Sequence, residues 1–254
     1  MFRGFYGVPT DHRRRAFGFM LDTLAQIFPR VYTNDNLIAI NRVAGFLEDE
    51  RFSTAFNRHA QTKQEKTLAW RLHTLVWAAN QALQVSGDFV ECGVFRGFCS
   101  AVITDYLTFE TVDKQLYLYD TFTGIPDEMN SEQHSNRGYH QALHGNPDTV
   151  YQHVKTKFDC YENVHVVRGM VPDSFHMACP ERIAFLHLDM NTVASEIAAL
   201  EVLFDRVSSG GVIVFDDYGQ MPHVAQHRAE NAYFAKLGYS ILELPTGQGL
   251  LIKR

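Results

Sequence analysis

Acidic residues close several apolar runs in this sequence, and such positions are where an α/β fold would do chemistry. Glu91 ends the run that begins at Phe89 and leads into Cys92-Gly93-Val94-Phe95-Arg96-Gly97. Two glycines in a turn that opens a helix let the backbone approach a ligand closely, and the helix N-terminus presents free amides. Dinucleotide sites usually carry GxGxxG. The form here, E-x-G-x-x-x-G, suits a ligand with a carboxylate better than a pyrophosphate, although alone it is equally an ordinary strand-to-helix turn. Asp120 closes a second run, Tyr117-Leu118-Tyr119, and precedes Thr121 and Phe122. An acid there can accept both ribose hydroxyls, with Phe122 against an adenine face. A lone Asp at a strand end is more often a cap or turn residue. Its register with the first motif favours the ligand.

A third group joins Asp189, after Leu186-His187-Leu188, to Asp216-Asp217, after Val214-Phe215. Open α/β sheets bind ligands at the carboxyl ends of their strands. Three carboxylates gathered there, with Asp189 read as two strands from the pair, would repel one another unless a cation neutralised them. Oxygen ligands select Mg2+, Ca2+ or Mn2+.

The elements that must position these residues follow from periodicity. Residues 1–80 read as helical, with apolar residues at a period near 3.6 over Ala16–Phe28 and Thr67–Leu83, and Asn34-Asp35-Asn36 as a turn between helices. Trp70, His73 and Trp77 read as a core-facing stripe. Beyond residue 85 short strands alternate with helices. Strands are expected at Asp88–Cys92, Gln115–Tyr119, Val164–Arg168, Ile183–Leu188, Gly211–Phe215, Ser240–Glu243 and Gly249–Lys253. Helices are expected at Phe98–Tyr106, Pro147–Lys157, Val193–Arg206 and His223–Leu237. That rhythm implies βαβ units and a mostly parallel sheet. The last two strands are too close for a helix between them, so they form an antiparallel hairpin. Residues 127–150 are polar and aperiodic and read as a lid or a disordered stretch. Two regions result, a helical N-terminal extension over 1–80 and a ligand-binding domain over 81–254.

Composition removes some functions. Of the 254 residues 46% are hydrophobic and the formal charge is -6, which argues against nucleic-acid partners. Arg13-Arg14-Arg15 reads as a solvated helix face. Cys92, Cys99, Cys160 and Cys179 form no CxxC and read as reduced thiols of a reducing compartment. No apolar run of about 18 residues and no signal-peptide pattern is present, so a cytoplasmic protein without membrane contact is expected. The N-terminal helices are expected either to mediate a homodimer or to pack on the sheet.

Five motifs occur in order: Glu91-Cys92-Gly93-Val94-Phe95-Arg96-Gly97, Asp120-Thr121-Phe122-Thr123-Gly124-Ile125-Pro126, Gly169-Met170-Val171-Pro172-Asp173-Ser174, Leu188-Asp189 and Asp216-Asp217-Tyr218-Gly219. Together they resemble the macrocin-type (TylF-like) O-methyltransferases, over about residues 60–240. The resemblance implies a class I methyltransferase fold, Rossmann-like with a closing hairpin, that transfers a methyl group from S-adenosylmethionine to a sugar or phenolic hydroxyl. It implies donor contacts from Glu91, Gly93, Phe95, Arg96, Gly97, Ser100, Asp120, Thr121, Phe122, Gly169, Met170 and Asp189, and Mg2+ or another hard divalent cation on Asp189, Asp216 and Asp217. Asp189 and position 191 would carry the catalysis.

Position 191 departs from the family pattern, L-D-G-D, whose second acid is the proposed base. Here Leu188-Asp189-Met190-Asn191 places a neutral amide there, and Asn cannot take a proton. Three explanations stay open: the acceptor ionises on the metal unaided, another base serves (His144, His187 or His223), or turnover is lost while the cofactor site remains. The last case would leave a sensor or scaffold. A nicotinamide oxidoreductase is disfavoured by the hairpin and the missing GxGxxG.

Overall fold

The computed structural model describes residues 11–125 and 146–254, which divide between residues 73 and 74 into two compact units. Of the expected lid at 127–150, residues 127–145, with His134, His140 and His144, lie outside the described residues, while 147–150 begin a helix.

The first unit holds α1 (Asp11–Ile27), a hairpin of β1 (Val31–Asn34) and β2 (Leu37–Ile40), and α2 (Glu50–His59). The hairpin corrects the all-helical reading of 1–80. Asn34-Asp35-Asn36 is a turn, but it joins antiparallel strands: Asn34 pairs with Leu37 and Val31 with Ile40. Asp35 and Asn36 both take positive φ, 51° and 55°, the pattern of a two-residue hairpin turn that Asp and Asn tolerate best. The runs of four residues on either side were too short to show a period of two. Arg13 to Arg15 are exposed on α1. Asp49 caps α2, its side chain accepting from the amides of Arg51 at 2.9 Å and Phe52 at 3.1 Å.

Helix α3 (Ala69–Ala82) spans the division between the units. His73 stacks on Phe46 with ring centroids 4.7 Å apart, and Trp70 meets Tyr32 edge-on at 5.0 Å. Trp77 leaves the expected stripe and is 43% exposed. Arg71 forms a buried ion pair with Asp35 at 3.1 Å.

The second unit is built on a seven-stranded sheet of order β5-β4-β3-β6-β7-β9-β8. The strands are β3 (Asp88–Cys92), β4 (Leu116–Asp120), β5 (Val164–Arg168), β6 (Ile183–Leu188), β7 (Val207–Phe215), β8 (Leu242–Glu243) and β9 (Gly249–Ile252). The first five in sheet order are parallel. β9 runs antiparallel to β7 and β8 antiparallel to β9, which is the expected closing hairpin. Helices α4 (Phe98–Leu107), α5 (Pro147–Phe158), α6 (Val193–Leu203) and α7 (Val224–Lys236) fall where the sequence predicts, within a few residues. β6 is buried at every position, as suits a central parallel strand covered on both faces. The expected gap of two strands between Asp189 and Asp216 closes to none, because β6 and β7 are direct neighbours.

Two carboxyls are buried between the helices on one face: Glu196 of α6 and Glu230 of α7 are both fully inaccessible. Burial first, then the charge of Glu230, pushes the Glu196 carboxyl upward, and burial pushes Glu230 up to about 7. Between an unfolded carboxyl near 4.3 and the folded value near 7 the folded state binds the extra proton, so stability falls as pH rises through that window. Glu230→Gln removes this charge. Relative to the parent chain, the variant should gain roughly 1–3 kcal/mol in urea unfolding at pH 8 over its value at pH 5. An equal difference at both pH values would contradict the buried-carboxyl account.

Candidate functional site

The site lies where β4, β3, β6 and β7 end, neighbours in that order. Backbone bonds extend the ladder past the last strand residues: the Gly93 amide donates to Tyr119 O at 2.9 Å, Asp189 to Cys92 O at 2.8 Å and Asp216 to Leu188 O at 2.9 Å. The ends of these strands are therefore level, and Asp120, Asp189 and Asp216 share one rim, with Glu91 two residues below it on β3.

Gly93 is needed for that level edge. Its φ is 92°, and a Cβ there would stand 1.9 Å from Asp189 O. The glycine that the sequence assigns to ligand approach lets two strand exits pass. Gly97, with φ of 72°, is the residue before α4, and a Cβ on it would meet the Phe158 ring at 2.9 Å. Phe95 also takes a positive φ, 50°, with the Arg96 guanidinium over its ring at 5.1 Å.

Asp120 closes this turn. Its Oδ2 accepts from the amides of Val94 at 2.8 Å and Phe95 at 2.7 Å, and its Oδ1 accepts from Phe122 at 2.6 Å. A carboxylate offers about four acceptor positions, so three amides leave about one. Thr121 is turned into its own loop, donating to Gly124 O at 2.9 Å. The Phe122 ring is fully buried, 5.3 Å from Tyr151, which corrects the expectation that it lies open for an adenine face. Gly169 donates its amide to Asp120 O at 2.9 Å, and Met170 O accepts from Ser174.

Glu91 and Ser100 correct the sequence reading more sharply. Both are buried, 2% and 1% exposed, and the Ser100 hydroxyl donates to Glu91 Oε2. Glu91 Oε1 faces His187 Nδ1 at 2.9 Å, its register partner on β6. Both side chains are thus committed beneath the rim rather than offered to a donor. The far side of the imidazole, Nε2, lies 3.6 Å from Asp216 Oδ1, too long for a hydrogen bond. Burial alone would lower the His187 pKa, but Asp216 and Glu91 on its two sides push it up to about 10. Asp216 Oδ1 also accepts from Gln248 Nε2 at 2.9 Å.

Ligand atoms of His187, Asp189 and Asp216 come within 4.8 Å of one another. This trio differs from the expected Asp189, Asp216 and Asp217: the Asp217 carboxylate stands outside it, facing His223 Nε2 at 3.6 Å. With His187 holding a proton between two acids, the donors that fit a cation are the neighbouring carboxylates of Asp189 and Asp216. Asn191 has φ of 61°, and its amide donates to Asp189 Oδ1 at 3.3 Å. A donor suits that place, since a second carboxylate there would face Asp189 with like charge. Of the suggested bases, His187 is sealed between carboxylates and His144 lies outside the described residues; His223 is beside Asp217.

His187 and Gln248 are what the sequence reading missed as partners of Asp216. The signal for His187 was a polar residue inside an otherwise apolar strand; Gln248 gave none.

Residues 17–238 match the model of the macrocin-O-methyltransferase (TylF) family. Demethyldecarbamoylnovobiocin O-methyltransferase of Streptomyces niveus is 30% identical over 146 residues, covering 54% of this chain and 55% of that protein. The 8-demethyl-8-(2,3-dimethoxy-alpha-L-rhamnosyl)-tetracenomycin-C 4'-O-methyltransferase of Streptomyces olivaceus is 30% identical over 157 residues, 58% of this chain and 60% of that protein. The matched part thus spans under two thirds of these relatives. Among solved structures, the calicheamicin methyltransferase CalS11 superposes with a TM-score of 0.63 at 16% identity, over 96% of this chain and 93% of that one. The O-methyltransferase NovP superposes with a TM-score of 0.61 at 22% identity, over 72% and 79%. These likenesses fix the class I methyltransferase fold.

Removing His187 should leave the buried Glu91 and Asp216 opposed. His187→Leu is expected to cost about 3–5 kcal/mol in urea unfolding at pH 7. A loss under about 1 kcal/mol would mean that the imidazole does not bridge the two acids. The chain belongs to the macrocin-O-methyltransferase (TylF) family.

Proposed function

We propose that this chain transfers the methyl group of S-adenosylmethionine to a hydroxyl of a small natural product, a sugar or a phenol, with a divalent cation at the Asp189–Asp216 end of the rim. The observation that carries the reading is the shared edge: a glycine turn clamped by Asp120 leaves β3 directly beside the His187–Asp189–Asp216 group of β6 and β7. The family membership and the O-methyltransferase relatives support the reaction class.

In this reading the turn Gly93–Gly97 and the N-terminus of α4 receive the donor's amino-acid end. Asp120 accepts from the ribose with its remaining lone pair, while its three amide bonds keep the turn's shape. Asp189 and Asp216 hold the cation, with the Asn191 amide fixing the Asp189 carboxylate. When bound, donor and cation supply the methyl group and a lowered hydroxyl pKa at the acceptor. The protein's own share is alignment, which is worth roughly 7–11 kcal/mol of barrier in well-oriented systems. Oxygen donors at the site suit Mg2+ or Mn2+. His223, 7% exposed and beside Asp217, is the histidine placed to hold a proton near the rim. We further place the protein in a reducing, cytoplasmic setting, a reading supported by four cysteines of which none forms a disulfide. No described helix is long and apolar enough to cross a membrane.

A second reading, a cofactor-binding sensor without turnover, is favoured by Asn191 alone. Labelled donor offered with catechols and glycosides separates the two. Transfer that a chelator suppresses is the expected result; donor binding with no transfer to any acceptor of the panel favours the sensor. Asp120→Ala frees three amides and removes a charged acceptor. It should weaken S-adenosylhomocysteine binding at least about tenfold by calorimetry, and unchanged affinity would remove Asp120 from the donor site.

A further inference from the structure

We propose that the closing β8–β9 hairpin is a working part of the site, because it delivers Gln248 as a positioning residue that sets the orientation of Asp216 toward a divalent cation. The inference rests on the cation reading above and adds to it a residue outside the five family-like motifs.

The antiparallel register pairs Phe215 with Gly249, so the next residue outward on each strand brings Asp216 opposite Gln248. Gln248 is fully buried despite its amide. Both ends of that amide are used: Nε2 donates to Asp216 Oδ1 at 2.9 Å, and Oε1 accepts from the Thr246 hydroxyl at 3.0 Å. The Thr246 hydroxyl, itself 5% exposed, thereby fixes which end of the amide faces the carboxylate. The loop is latched to the β7 exit a second time, where the Gly219 amide donates to Gly247 O at 2.7 Å. Gly247 has φ of 81°, the left-handed backbone that favours glycine.

A neutral amide in this place has a specific consequence. It holds the plane of the Asp216 carboxylate through Oδ1 without adding a positive charge to the one His187 already brings. An Arg or Lys would satisfy the same oxygen and bring a further positive charge against a bound cation. Outer partners of metal-ligating side chains typically change affinity by roughly 10–100-fold when removed. A residue that merely fills the core would change stability and nothing else.

The test uses the full-length chain and Mn2+ itself, followed by the free-ion electron paramagnetic resonance signal, with S-adenosylhomocysteine affinity measured by calorimetry on the same samples. Gln248→Leu keeps the volume and removes the donor. It should bind Mn2+ about tenfold or more weakly while its S-adenosylhomocysteine affinity stays within about twofold of the parent chain. Thr246→Val, which frees the amide to turn, should weaken Mn2+ by roughly threefold, and Thr246→Ser should restore the parent value. Mn2+ affinity unchanged in Gln248→Leu would overturn the positioning role. If that variant fails to fold, equal Mn2+ affinity in the Val and Ser variants at position 246 would overturn it instead. A parent chain that binds S-adenosylhomocysteine but no Mn2+ would refute the cation reading itself, and the inference with it.

Discussion

Glu91, His187 and Asp216 come from three adjacent parallel strands and meet in a space that excludes water. Two carboxylates there would repel each other across the sheet; the imidazole between them turns repulsion into attraction along one line. Ser100 extends the line on one side and Gln248 on the other. The string ties the helix after the glycine turn to the closing hairpin, so the two halves of the rim are held by one set of buried polar contacts. Such contacts are costly when broken and therefore specify a single arrangement.

Much of the sheet was legible because its signals are local. β3, β5 and β6 match their expected bounds to the residue, and the hairpin follows from a connection too short for a helix. The first unit was harder: β1 and β2 are four residues each, below the length at which alternation separates from helical spacing, and their turn chemistry was visible while their strands were not. Trp77 kept helical register with Trp70 and His73 yet points to solvent, because spacing marks a helix face and not what covers it.

The site was legible in position and less so in role. Acids at strand ends did gather on one rim, since that follows from a level parallel sheet. Which way each side chain turns depends on partners far away in sequence. Glu91 turns inward because His187 lies beside it on β6, and Asp120, expected to accept both ribose hydroxyls, spends three lone-pair positions on the turn. Asp217 turns to His223 while His187 takes its place beside Asp189 and Asp216. At position 191 the neutral side chain that breaks the family pattern has a use of its own, as a donor to Asp189.

The central claim is that one rim receives a nucleoside at the Asp120 end and a cation at the Asp216 end. It is tested most directly by a crystal of the chain grown with S-adenosylhomocysteine and Mn2+, using the manganese anomalous signal. The account predicts one strong anomalous peak bounded by Asp189 and Asp216, with the nucleoside against the Gly93–Gly97 turn. Manganese away from both aspartates, or a nucleoside bound elsewhere on the molecule, would contradict it.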